Sequence, residues 1–140
     1  MEQPVRPKAA ALIGASDLDP AEIEALELHP ILRMDAVEMV QPGVAKRLQA
    51  ALRPRANEAK AWYLHIDLDV AGPEENPGNL TPAPHWPPRQ HIIEAAQTTA
   101  QTVQVKVASL AVYNPAGDGN GRGARFGLDM AIAIVDGVAG

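Results

Sequence analysis

An α/β fold with a mainly parallel sheet is what this sequence predicts, and three observations predict it. Short apolar runs alternate four times with segments of helical periodicity, giving about four β-α units. The clearest run, "AWYLHIDLDV", is almost continuously apolar, as a central parallel strand is when both its faces are covered. Many of the 13 prolines and 11 glycines fall between the periodic segments rather than inside them.

The elements follow in order. "AAALIGAS" predicts a short buried strand, and "SDLDPAEIEALEL" opens a helix with Asp19 as N-cap, Pro20 at the first helical position and Glu22 in the first turn. Ile23 and Leu26 recur at helical spacing, and His29-Pro30 ends the helix because a residue before proline avoids the helical region. "ILRMDAVEM" predicts another short strand, or a strand and turn. A helix starting at Pro42 aligns Val44, Leu48, Ala51 and Leu52 on one face, and "RPRANEAK" reads as a charged loop.

After the "AWYLHIDLDV" strand, "AGPEENPGNLTPAPHWPP" is too rich in proline for helix or central strand. "RQHIIEAAQTTAQTV" then aligns Ile92, Ala96, Thr99 and Val103 on a helix, and "VKVASLAVYNP" is the next strand. "AGDGNGRGARFG" reads as a flexible loop, and "LDMAIAIVDGV" as a closing amphipathic helix with Leu128, Ile132 and Val135 in line.

With 140 residues the chain is the size of one domain, spanning 1–140. Its net charge of -5 and lack of a basic run exclude a nucleic-acid surface. The absence of cysteine excludes disulfides and thiolate metal sites, so a metal would need oxygen or imidazole ligands. "MEQPVRPKAA" lacks the apolar core of a signal peptide, and no apolar run reaches the length of a membrane span. The expectation is a cytoplasmic domain with no membrane partner.

Asp67 and Asp69 end the strongest strand just before the Pro/Gly-rich loop. Residues two apart on a strand share a face, so the two carboxylates can converge at the C-terminal end, where α/β sheets gather their functional groups. Such a pair suits a hard cation such as Mg²⁺ or Mn²⁺. From spacing alone the commoner role is loop capping, in which an aspartate accepts from backbone N–H groups of the following turn. His65 shares that face, but a lone strand histidine is more often hydrogen-bonded than a ligand. His29, His85 and His91 are scattered. "GDGNGRG", with Arg122 and Arg125 nearby, has amides that could cradle an anion, though it fits no phosphate-loop fingerprint.

The order of these pieces resembles the C-terminal half of the ureohydrolases, the arginase/agmatinase/formimidoylglutamase family. The matching residues are Asp67, Asp69, Pro73, Pro77, Gly78, Thr81 and Pro82 in "HIDLDVAGPEENPGNLTPAP". "LIGASDLDPAE" upstream and Asn114-Pro115 downstream add to the likeness. The resemblance implies a partial three-layer αβα arginase-like fold and hydrolysis of a guanidinium or amidine C–N bond at a two-Mn²⁺ centre. In that centre Asp67 would bridge the ions and Asp69 would ligate one of them.

The departures bear on function. No Asp-x-His-x-Asp motif, which would supply further ligands, occurs in the chain, and no histidine precedes "LIGASDLDP". Where the family anchors the guanidinium with an acid, this chain has Val112, preceded by Ala111. A further family aspartate is Gly72. The resemblance therefore implies a truncated or divergent relative that is inactive alone, with no catalytic residue and no substrate-binding residue assigned. The alternatives are one subunit of a split enzyme completed by a partner chain, or a metal-free interaction or regulatory module. Either a homo-oligomer or a complementary chain is expected to cover the sheet that a half-fold leaves exposed.

Overall fold

The four strands among the described residues form two parallel pairs. In the computed structural model, which describes residues 4–80 and 82–140, β1 (Ala11–Ile13) pairs with β2 (Leu32–Met34), and β3 (Trp62–Asp67) pairs with β4 (Val105–Ala111). All pairing is parallel, as expected, but among the described residues β1 and β3 do not pair with each other. Thr81 of the proline loop lies outside the described residues.

Local chemistry sets the helix boundaries. Asp19 caps α1 (Pro20–Leu28) with a reciprocal box: its carboxylate accepts from the Glu22 N–H, and the Glu22 carboxylate accepts from the Asp19 N–H, both at 2.9 Å. Asp35 and Glu38 repeat the device, so the stretch expected to be a turn is a short helix, α2 (Ala36–Val40). α3 (Val44–Leu52) starts after Gly43 rather than at Pro42. The expected charged loop is mostly wound as a 3-10 helix, Arg53–Glu58.

α4 (Arg89–Thr102) and α5 (Arg122–Ala139) complete the helical layer. Leu48, Leu52, Ile92, Phe126 and Met130 from α3, α4 and α5 are buried together in the core. The faces expected on α3 and α4 are the buried ones: Val44, Leu48 and Leu52 on the first, Ile92, Ala96 and Thr99 on the second.

The face expected on α5 is not. Leu128, Ile132 and Val135 are 60%, 49% and 65% exposed, whereas Phe126, Met130, Ala133 and Ile134 are buried. α5 carries two apolar stripes offset by two residues, which is roughly 200° of rotation at about 100° per residue. Either stripe satisfies helical periodicity, and packing against α4 selects the one that begins at Phe126.

The β3–β4 pair is covered on one face only. Strand alternation and register put Tyr63, His65 and Asp67 beside Val107, Ser109 and Ala111 on the other face. There Tyr63 is 62% and Val107 59% exposed, and among the described residues no helix lies over them. The apolar run that predicts a doubly covered strand is thus half-covered. No described helix is long and apolar enough to cross a membrane.

Candidate functional site

β3 delivers its polar residues to the uncovered face as one hydrogen-bonded chain. Ser109 Oγ lies 2.7 Å from the Tyr63 hydroxyl and 2.6 Å from His65 Nδ1, and His65 Nε2 lies 3.2 Å from Asp67 Oδ1. Both imidazole nitrogens therefore have protein partners, and His65 is the hydrogen-bonded strand histidine that its position suggests. Ser109 and Tyr63 were not singled out from the sequence. Only the β3–β4 register, with His65 opposite Ser109, brings them to this site.

Asp69 is held differently from Asp67. The strand ends at Asp67 and the chain tightens into a 3-10 turn, Leu68–Val70, so the same-face argument ends at Asp67 and does not reach Asp69. Even so, Asp67, Asp69 and His65 line one cavity of about 430 Å³ between β1 and β3. Partial burial pushes the Asp69 carboxyl above its ordinary pKa, and the negative Asp67 adds to this, against a lowering contribution from a backbone N–H.

The donor set can be tested against a metal centre. Asp67 and Asp69 are oxygen ligands of the type that Mg²⁺ and Mn²⁺ take. Among the described residues, however, no group of three or more His, Cys, Asp or Glu is placed to hold an ion. The residues present do not fit a two-metal centre by themselves.

The loop after the aspartates is held by close packing. A Cβ on Gly72 would lie 2.4 Å from Nε1 of Trp86, so the indole occupies the space that any side chain at position 72 would need. Further on, a Cβ on Gly78 would lie 2.5 Å from the Asn114 carbonyl oxygen, and Asn114 Nδ2 donates to the Gly78 carbonyl at 3.2 Å. The Pro77-Gly78 and Asn114-Pro115 motifs are thus two sides of one contact. Arg89 ties the loop to the helices, pairing with Glu75 at 2.7 Å and with Asp129 while stacking over Phe126. Val112 follows Ala111, the partner of Asp67 in register, and has a φ of +58°, a strained conformation for a β-branched residue.

"GDGNGRG" already contains its anion. Asp118 Oδ1 accepts from the Gly123 N–H at 3.1 Å, and Oδ2 accepts from the Ala124 N–H at 3.0 Å and the Tyr113 hydroxyl at 3.1 Å. The carboxylate neutralises the first turn of α5, and the second half of the expected loop is helix. The other histidines stand apart from Asp67 and Asp69. His91 Nδ1 is 2.7 Å from the Met39 carbonyl, His85 lines a smaller cavity with Ile23 and Arg33, and His29 is the exposed C-cap of α1.

With this geometry in place, known proteins offer a comparison. The family described as "Arginase family" matches residues 1–136. Formimidoylglutamase from Cupriavidus pinatubonensis is 33% identical over 121 residues, covering 85% of this chain and 38% of the relative. Among solved structures, formimidoylglutamase from Bacillus subtilis superposes with a TM-score of 0.83 at 15% identity, covering 94% of this chain and 42% of that one. Trypanosoma cruzi formiminoglutamase, whose structure contains Mn²⁺, superposes with a TM-score of 0.75 at 18% identity over 92% of this chain and 44% of its own. The chain spans about two fifths of the length of the proteins it matches.

Proposed function

The chain belongs to the arginase family, and from that premise we propose that it supplies the aspartate pair of an amidine C–N hydrolase centre and does not hydrolyse such substrates alone. One observation carries this reading. Asp67 and Asp69 share a cavity at the C-terminal end of β3, the place where α/β sheets carry chemistry, and among the described residues no group of three or more potential ligands forms there.

By the family resemblance, Asp67 and Asp69 would be carboxylates that help hold Mn²⁺. Two carboxylates do not displace enough water to hold two ions, so the missing donors come from polypeptide outside these 140 residues. Val112, apolar and half-exposed beside the aspartate strand, puts no charge where the family pattern has an acid for the substrate cation. The substrate anchor is therefore also supplied from elsewhere or replaced. A metal-free interaction role is the second reading, favoured by the engagement of Asp67 with His65.

Calorimetric titration of the isolated chain with Mn²⁺ tests the proposal, together with assays for product release from arginine, agmatine and N-formimidoyl-glutamate. Weak binding or none, and no release, is expected. Two tight Mn²⁺ sites, or turnover of any of the three compounds, would show that the chain is complete without further donors.

A further inference from the structure

We infer that the outward stripe of α5 is a docking surface for a second copy of this chain, the two α5 helices packing antiparallel about a two-fold axis. This goes beyond the aspartate-pair reading and does not depend on it.

The stripe is what the core leaves over. Phe126, Met130, Ala133 and Ile134 turn inward, while Leu128, Ile132, Val135 and Val138 stay between 49% and 65% exposed. They run along a helix of 18 residues, about 27 Å long. Four half-exposed aliphatic side chains in a row present on the order of 400 Å² of apolar surface, the size of patch that marks an interaction site on a monomer.

Spacing makes the stripe complementary to itself. A two-fold axis crossing α5 midway between Met130 and Ala131 sets Leu128 of one copy in the gap between Ile132 and Val135 of the other. The offsets along the helix are about 1.5 Å from the isoleucine and about 3 Å from the valine, at 1.5 Å per residue. The same axis brings Val138 beside Ala124 of the other copy, an exposed position with room for it. Knobs on one helix thus meet holes on the other without a change of rotamer class.

Charge fixes the direction and the occupant. At about 100° per residue, Arg125 and Asp136 lie roughly 60° and 80° round from Leu128, on one flank and at opposite ends of the stripe. Antiparallel helices related by this axis meet like flank to like flank, so each Arg125 comes level with Asp136 of the other copy. Both residues are exposed. Arg125 Nη2 donates to the Asn120 carbonyl at 3.0 Å, which leaves other donors of the guanidinium for a carboxylate. A parallel pair would set this flank against the opposite one, where Ala124, Ala131 and Val138 carry no charge. α5 as a whole holds two arginines and two aspartates, so the copies meet on a neutral surface although the chain has a net charge of -5. A helix from an unrelated polypeptide would not need this antisymmetry; a second copy does.

The test is analytical ultracentrifugation of the 140-residue chain. From about 10 µM to about 1 mM the mass should move from one copy towards two, as suits an interface at the small end of the specific range. Ile132→Asp is expected to keep a single-copy mass throughout, and Val107→Asp, exposed on the β3–β4 face, to leave the association within about twofold. Arg125→Asp should weaken it at least about tenfold, and adding Asp136→Arg should restore it to within about threefold. All four positions are exposed, and circular dichroism checks that each variant is folded. A single-copy mass at every concentration would overturn the proposal. So would association that survives Ile132→Asp or is lost with Val107→Asp, which would place the contact on the sheet face. A charge-swapped double variant no tighter than Arg125→Asp alone would overturn the antiparallel pairing. No metal enters these measurements, so their failure and that of the aspartate-pair reading are separate results.

Discussion

The Trp86 indole lies so close over Gly72 that a Cβ on the glycine would meet Nε1 at 2.4 Å and Cδ1 at 2.6 Å. Glycine at this position, where the family pattern has an aspartate, is therefore coupled to a tryptophan fourteen residues on, at position 86. Gly72→Ala is expected to destabilise the chain by about 1–3 kcal/mol, the usual cost of overpacking. Once Trp86→Ala has opened the space, the same change should cost a few tenths of that. A double-mutant cycle by urea unfolding measures the coupling, and additive effects would show that the contact does not constrain position 72.

Asp118 makes the N-terminus of α5 pH-sensitive. Burial alone would raise its pKa. The N–H groups of Ala124 and Gly123 and the hydroxyl of Tyr113 outweigh that and hold it below the ordinary carboxylate value. A depressed folded pKa contributes stability that is present above the unfolded value of about 3.9 and is lost as pH falls through the lower folded value. Asp118→Asn should therefore lower Tm at neutral pH, and the gap from the parent should narrow in acid below about pH 4. A gap that stays constant with pH would mean that the charge contributes nothing.

Val112 holds a left-handed backbone conformation that costs a side-chain-bearing residue roughly 1–2 kcal/mol. Its side chain is half-exposed, so little burial is lost on removing it. Val112→Gly removes the strain but adds freedom to the unfolded chain, for a net gain of roughly 0.5–1 kcal/mol. The readout is a higher urea midpoint at an unchanged m-value. A lower midpoint would show that the Val112 side chain makes a contact worth more than the strain.

The two stripes of α5 should respond very differently to truncation. Met130→Ala empties a fully buried position and is expected to cost about 2–5 kcal/mol. Leu128→Ala, on the outward stripe, should stay within about 0.5 kcal/mol. Thermal unfolding of the two variants in parallel decides which stripe faces the core, and similar losses would contradict the observed packing.

Much of this was legible in the sequence where the controlling interaction is local. Asp19, Pro20 and Glu22 announce the start of α1 because the capping box closes within four residues. The same logic applies to Asp35 and Glu38, where a helix of only five residues is too short to show periodicity. The inward faces of α3 and α4 were readable because each has a single apolar stripe. α5 has two, and its correct face could be known only from its neighbour.

Asp118 and Ser109 show the same limit at the candidate site. A carboxylate that fills a helix N-terminus five residues on looks, as a string of letters, like part of a flexible glycine loop. Ser109 sits 44 residues from His65, and strand register alone brings them to 2.6 Å.

By itself the sequence determined the α/β class, the cap of α1, the inner faces of two helices and the place of Asp67 at a strand end, because periodicity and capping act over a turn or a strand. Only the tertiary structure decided that β1 and β3 stand apart around a cavity, that one face of the β3–β4 pair is uncovered, and that Asp69 leaves the strand for a turn. Those depend on strand pairing and helix packing between residues far apart in the chain, where no local spacing records the outcome.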